Sequence, residues 1–185
     1  MSPSALSKLI EKRKQELEAV EKTYQDSLSG MLSEYFEAQN KPGVRFYSGR
    51  EGMQEIYKDH LRVGGKVLVV RTTADTEFGE TLYKYMDERA KNDIKSEILG
   101  PAVPLSMKWA AENNKRLKRT NYWVPQEYYT APVEMSIYKD RVSLISFGRE
   151  TIGVILESPQ IAESMLQLWR LAKIGGQSLM ERRKT

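Results

Sequence analysis

Between Ser4 and Gln39 apolar residues recur at Leu6, Ile10, Leu17, Val20, Tyr24 and Leu28 along a charged, proline-free stretch. Three- and four-residue steps dominate, and the surrounding residues (Glu11 to Glu16, Glu21, Lys22) favour helix. The step from Tyr24 to Leu28 adds a four-residue advance that resembles a stutter. A helix of ~35 residues would run ~50 Å, longer than one small domain covers. Part of its narrow stripe is therefore expected to meet another helix, most simply its own copy in a coiled-coil homodimer. Asn40-Lys-Pro-Gly43 stops it. The pattern predicts a dimerisation helix over 1–40.

Beyond Pro42 the period changes. Val44, Phe46 and Ser48 alternate with Arg45 and Tyr47 as a short strand would. Met53, Ile56, Tyr57, His60 and Leu61 then share one helical face, and Val67 to Val70 form an apolar run after Gly64-Gly65. Together they predict a strand–helix–strand unit. A helix over 76–91, a strand over 94–98, a helix over 105–117 and a short strand near 120–124 follow. Strands over 134–138 and 141–146 flank Lys139-Asp140 as a hairpin, and 151–156 reads as a last strand. Ser158-Pro159 supplies the N-cap and first-turn proline of a closing helix. Helices and strands that alternate at first and then meander predict an α/β sandwich around a mixed sheet over 41–175. Gly175-Gly176 and the charges after them predict a frayed tail over 176–185.

Composition narrows the function classes. The net charge of +4 is too mild to argue for nucleic acid, which needs clustered charge. With no cysteine there is no disulfide framework or thiolate site, and one histidine leaves little to hold a transition metal. No apolar run approaches the length of a membrane span, and no signal peptide opens the chain. Neither a membrane partner nor a cofactor is expected, and the default address is cytoplasmic.

The wording of four blocks resembles a known family. Pro-x-Val-x-Phe-Tyr-x-Gly-x-Glu-Gly-Met over 42–53 resembles the opening of the effector region of TrmB-like transcriptional regulators. Tyr83-x-x-Met-x-x-Arg89 leading to Ile94-Lys95-x-x-Ile98 is similar to the next block. Ile137-Tyr-Lys-Asp-Arg-Val142, and Gly153 to Ala162 followed by Leu168-Trp169, are similar to the last two. The resemblance implies a phospholipase D-like α/β sandwich without that enzyme's chemistry, preceded by a coiled-coil helix. It also implies a non-catalytic module that senses a small ligand or partner protein. In the family a winged helix that reads DNA comes first. Upstream of Pro42 there is room for one helix only, so a fused winged helix or a DNA-binding relative is the expected partner.

Candidate chemistry is sparse. Phosphodiesterases of the phospholipase D fold carry His-x-Lys-x-x-x-x-Asp. Here His60 is followed by Leu61 and Arg62, and Val67 stands at the aspartate position. No catalytic residue is assigned, and a divergent phosphodiesterase or nuclease acting across a dimer interface is the alternative. Arg71-Thr72-Thr73 ends an apolar strand where α/β sheets hold ligands. It suits an anion or a sugar, and it also suits a solvated strand end. Tyr47 and Glu51, at the first strand–helix junction, are expected to face the same crevice. Arg89 matches a basic family position and completes the candidate ligand set. Lys115-Arg-Leu-Lys-Arg119 before Tyr122-Trp123 mixes charge with aromatics as a nucleic-acid or phosphate surface would, and with Asn113-Asn114 beside it reads rather as a solvated helix end.

Overall fold

A computed structural model describes residues 9–18, 20, 23, 43–73, 79–130, 132–147 and 151–183. The chain divides into two compact units, Met1–Lys41 and Pro42–Thr185. In the first, residues 9–18 (α1) are helical, as are 20 and 23. Ile10 and Leu17 lie on α1 and Val20 just past it, all more than half exposed. A helix with an open apolar edge is thus present, while no long coiled coil is shown. Leu6, Tyr24 and Leu28 lie outside the described residues.

The second unit runs β1 (Gly43–Ser48), α2 (Gly49–Val63), β2 (Val67–Val70), α3 (Gly79–Lys91), β3 (Ser96–Pro101) and α4 (Pro104–Asn113). It continues with β4 (Arg119–Val124), β5 (Val133–Tyr138), β6 (Arg141–Phe147), β7 (Thr151–Glu157) and α5 (Pro159–Arg182). Seven strands form one mixed sheet in the order β1-β7-β6-β5-β2-β3-β4. β2, β3 and β4 are mutually parallel, and every other pairing is antiparallel. β1 and β2 point the same way but lie apart, with β7, β6 and β5 between them. The expected strand–helix–strand unit therefore does not place neighbouring strands. The meander supplies the intervening strands, and β1 completes an edge by pairing with β7.

Alternation sends each strand's residues to two cores. On one face Met53, Ile56 and Tyr57 of α2 and Leu82, Met86 and Ala90 of α3 pack with Ile145 and Ile155. On the other, α5 lays Ala162 and Trp169 on Leu99, Ile137 and Val142. Burying a large apolar side chain is worth ~1.5–3 kcal/mol, so these two layers fix the sandwich. Trp169 also donates its indole N–H to the Val69 carbonyl (3.1 Å), which pins α5 over the parallel strands. The Ser158 hydroxyl accepts from the Ile161 amide, the N-cap bond that its sequence position predicts.

Three elements depart from expectation, and the first is α4, which ends at Asn113 rather than 117. β3 starts at Ser96 rather than 94, because Asp93 adopts a positive φ (57°) and the Ile94 amide turns back to the Arg89 carbonyl. It then runs past 98, the expected end, through Gly100-Pro101. Proline is tolerated there because β2 has ended at Val70, opposite Leu99, so Pro101 pairs with β4 alone. α5 continues to Arg182 instead of fraying at 176. Gly176 is buried: a Cβ there would meet a Val124 methyl at 2.9 Å and the Trp123 carbonyl oxygen at 3.3 Å. Gly175 would meet nothing within 4 Å. Alanine in a helix is favoured over glycine by ~1 kcal/mol, so Gly175→Ala is expected to stabilise by up to about that much. Gly176→Ala is expected to destabilise by roughly 1 kcal/mol or more, since overpacking costs ~1–3 kcal/mol. Chemical denaturation of the two variants checks the opposite signs.

Candidate ligand site

The parallel strands end beneath α3 and α4 in a crevice of about 560 Å³, within the range of small-molecule sites. β4 places Arg119, Asn121 and Trp123 on its floor at alternate positions, and β3 adds Ile98 and Gly100. α3 contributes Tyr83 and Met86 to one wall, and α4 contributes Ser106 and Trp109. Tyr83 and Trp109 lie 5.7 Å apart, ring to ring, at the side of the opening. The first turn of α4 also borders it: Val103 caps without a side-chain hydrogen bond, and Pro104 has no N–H to leave unpaired.

Arg119 is the unusual group. Its Nε donates to Asn121 Oδ1 (3.1 Å), Nη1 approaches the Met86 sulfur (3.3 Å), and its guanidinium carbon lies 5.0 Å from the centre of the Trp109 ring. Among the described residues no carboxylate pairs with it. Burial pulls its pKa down to about 9, and the charges of Arg71 and Arg89 add to the fall. A largely buried cation held by an amide, a thioether and a ring is poorly compensated. Glu134, the acid among the described residues whose charge acts on it, is already engaged: Arg71 Nη1 donates to it at 2.8 Å and the Tyr57 hydroxyl at 3.3 Å.

The structure brings together three of the expected site residues, Arg71, Thr72 and Thr73, all of which line the crevice. It parts the other three from it. Tyr47 belongs to β1, at the opposite sheet edge, where its hydroxyl accepts from Arg45 Nη1 at 3.2 Å. Glu51 is exposed in the first turn of α2. Arg89 is 2% exposed and binds the carbonyls of Ile94 and Leu117, the latter at 2.7 Å, so it fastens α3 to the loops beside it. The sequence reading missed Arg119, Trp109 and Asn121. The alternation Arg119, Asn121, Trp123 was the available signal, masked by the basic run before it.

His60 lies outside the crevice, 1% exposed. Its Nδ1 is 3.0 Å from the Tyr85 hydroxyl and Nε2 2.9 Å from Ser143 Oγ, with Tyr138 edge-on at 4.3 Å. Burial drives its pKa down to about 3, so the ring is neutral and donates through one nitrogen while accepting at the other. At the outer edge of the sheet Asp59 receives Arg45, Arg62, Arg141 and the Tyr138 hydroxyl. Glu157 shares Arg45 and Arg141. That network ties β1, α2, β6 and β7 together. Among the described residues no group of acids and histidine could hold a metal ion, and no helix is long and apolar enough to cross a membrane.

The mixed seven-stranded sheet with helices on both faces is a phospholipase D-like fold. Two solved structures carry this comparison: Nuc from Salmonella typhimurium, a phospholipase D family member, and NucT from Helicobacter pylori. Nuc is 13% identical, over 74% of this chain and 96% of its own, with a TM-score of 0.50. NucT is 8% identical, over 74% of this chain and 98% of its own, with a TM-score of 0.52. The archaeal chromatin protein TrmBL2 is also similar, with 16% identity over 89% of this chain and a TM-score of 0.48. The chain spans 64% of TrmBL2, under two thirds of its length. No family model and no curated protein matches by sequence.

Proposed function

We propose that the Pro42–Thr185 unit is a head, the non-catalytic sensing module of a TrmB-like transcriptional regulator, and that the N-terminal helix is its stalk. In this reading the crevice takes a small ligand, and the N-terminal helix joins two copies, each working with a fused or separate DNA-binding partner. The single observation that carries the sensing role is the crevice: an aromatic-walled cavity on the α3–α4 side of the parallel strands, floored by a cation that has no carboxylate partner among the described residues. Pairing through the stalk is supported by Ile10, Leu17 and Val20, which stand open to solvent on a helix. The phosphodiesterase alternative has less behind it. Both nitrogens of His60 are occupied by protein hydroxyls, and a nucleophile needs an approach to substrate and a positioned base.

Two measurements on the full chain test this. Light scattering is expected to give a dimer, and Ile10→Asp with Leu17→Asp is expected to give a monomer. A wild-type monomer would remove the stalk from the reading. With bis(4-nitrophenyl) phosphate as substrate, no turnover above buffer is expected. Turnover that disappears in His60→Ala would establish the enzyme instead.

A further inference from the structure

We propose that the crevice ligand is a small planar organic anion, an aromatic carboxylate or aromatic phosphate monoester. Its charged group would lie on Arg119 and its ring against the indoles of Trp109 and Trp123. This rests on the reading of the crevice as a ligand site and goes on to name what fills it.

Charge points to the anion. Arg119 spends its N–H groups on one amide oxygen and one sulfur, fewer acceptors than a guanidinium serves. Its planar fork matches carboxylate and phosphate oxygens in a way no neutral group does. Arg71, which also lines the crevice, keeps the positive potential high even though Glu134 holds one of its arms. The uncapped first turn of α4 adds N–H donors and the positive end of a helix dipole at the same opening.

The walls point to the ring. Tyr83, Trp109 and Trp123 offer flat apolar surface, with Met86, Ile98 and Val103 completing it. Aromatic rings pack well on such walls, in offset or edge contacts. A sugar would need a polar partner for each hydroxyl; Thr72, Thr73, Ser106 and Asn121 supply some beside the two arginines, so maltose is among the probes. Gly100 leaves the strand end low: a Cβ there would stand 3.4 Å from the Arg71 Cβ.

The test is titration calorimetry on the full chain with five probes: 4-hydroxybenzoate, phenyl phosphate, benzyl alcohol, inorganic phosphate and maltose. Saturable binding of at least one aromatic anion is expected, at least tenfold tighter than benzyl alcohol and inorganic phosphate. Arg119→Gln is expected to remove that advantage, and Arg119→Lys to restore part of it. The comparison among probes on the wild-type protein stands even if a variant does not fold. Benzyl alcohol or maltose binding as tightly as the anions would overturn the anion class and leave the crevice a ligand site. Inorganic phosphate matching phenyl phosphate would overturn the aromatic half of the assignment. Anion binding untouched by Arg119→Gln would overturn the role of Arg119. No binding by any probe would overturn the assignment of planar anions. A metabolite mixture that also fails to shift the melting temperature would count against the crevice as a ligand site.

Discussion

Replacing Asp59 by alanine is expected to destabilise the folded head by about 3 kcal/mol. Asp59 is 3% exposed and sits where three arginines and a tyrosine hydroxyl converge. Burial alone would push its carboxyl up, yet hydrogen bonds from Arg62, Arg141 and Tyr138, with the charge of Arg45, hold it well below the usual carboxylate range. Without it, Arg45 and Arg141 keep Glu157, with Asp140 3.9 Å from Arg141 Nε, and the Tyr138 hydroxyl loses its acceptor. Removing one partner of a buried pair typically costs ~3–5 kcal/mol. The remaining carboxylate places this case at the lower end. Urea denaturation checks it: the midpoint should fall with an unchanged slope. A loss under about 1 kcal/mol would mean that water already screens the cluster.

The second large effect is a loss of stability in mild acid, carried by the chain's one histidine. In the unfolded chain His60 titrates near 6.5, and in the fold burial lowers it to about 3. The unfolded state therefore binds a proton that the folded state refuses, so stability rises with pH across that interval. His60 exerts its full penalty below the folded value and none above the unfolded one. Each pH unit between them costs about 1.4 kcal/mol, so roughly 2 kcal/mol is lost from pH 6.5 to pH 5. The contribution of Asp59 has the depressed-acid sign: it is present above its unfolded value near 3.8 and is lost only below that. It leaves this window clear. Unfolding free energies at several pH values between 7 and 5 should slope in the wild type and lie flat in His60→Gln. Equal slopes in both would show that another group titrates.

Much of the fold is written locally, and the site mostly is not. The hairpin at Lys139-Asp140, the cap at Ser158 and the alternation of the late strands follow from residues near one another, and each forms as its sequence predicts. The partner of β1 is not local. Alternation in 43–48 announces a strand, yet nothing in it says that Val44 pairs with Leu156 at the far edge. Bringing Tyr47 and Glu51 to the crevice of Arg71 would require β1 beside β2, and the three strands between them keep the two ends apart. Gly175 and Gly176 read alike in sequence. Only the approach of β4 makes one of them indispensable and the other spare. Arg119 is the most instructive residue. As the end of a basic run it looks solvated, but β4 begins there, and the strand's alternation turns it inward beside Asn121 and Trp123.

The three tryptophans offer a direct view of a small ligand bound above Arg119. Trp109 and Trp123 line the crevice, while Trp169 is carried by α5 on the other face of the sheet, its indole N–H bonded to the Val69 carbonyl. An ¹⁵N-edited spectrum of the full chain resolves three indole N–H signals. Adding 4-hydroxybenzoate or phenyl phosphate at millimolar concentration is predicted to move the Trp109 and Trp123 signals and leave Trp169 in place. A spectrum unmoved by either compound, or one in which Trp169 moves as far as the other two, would contradict it.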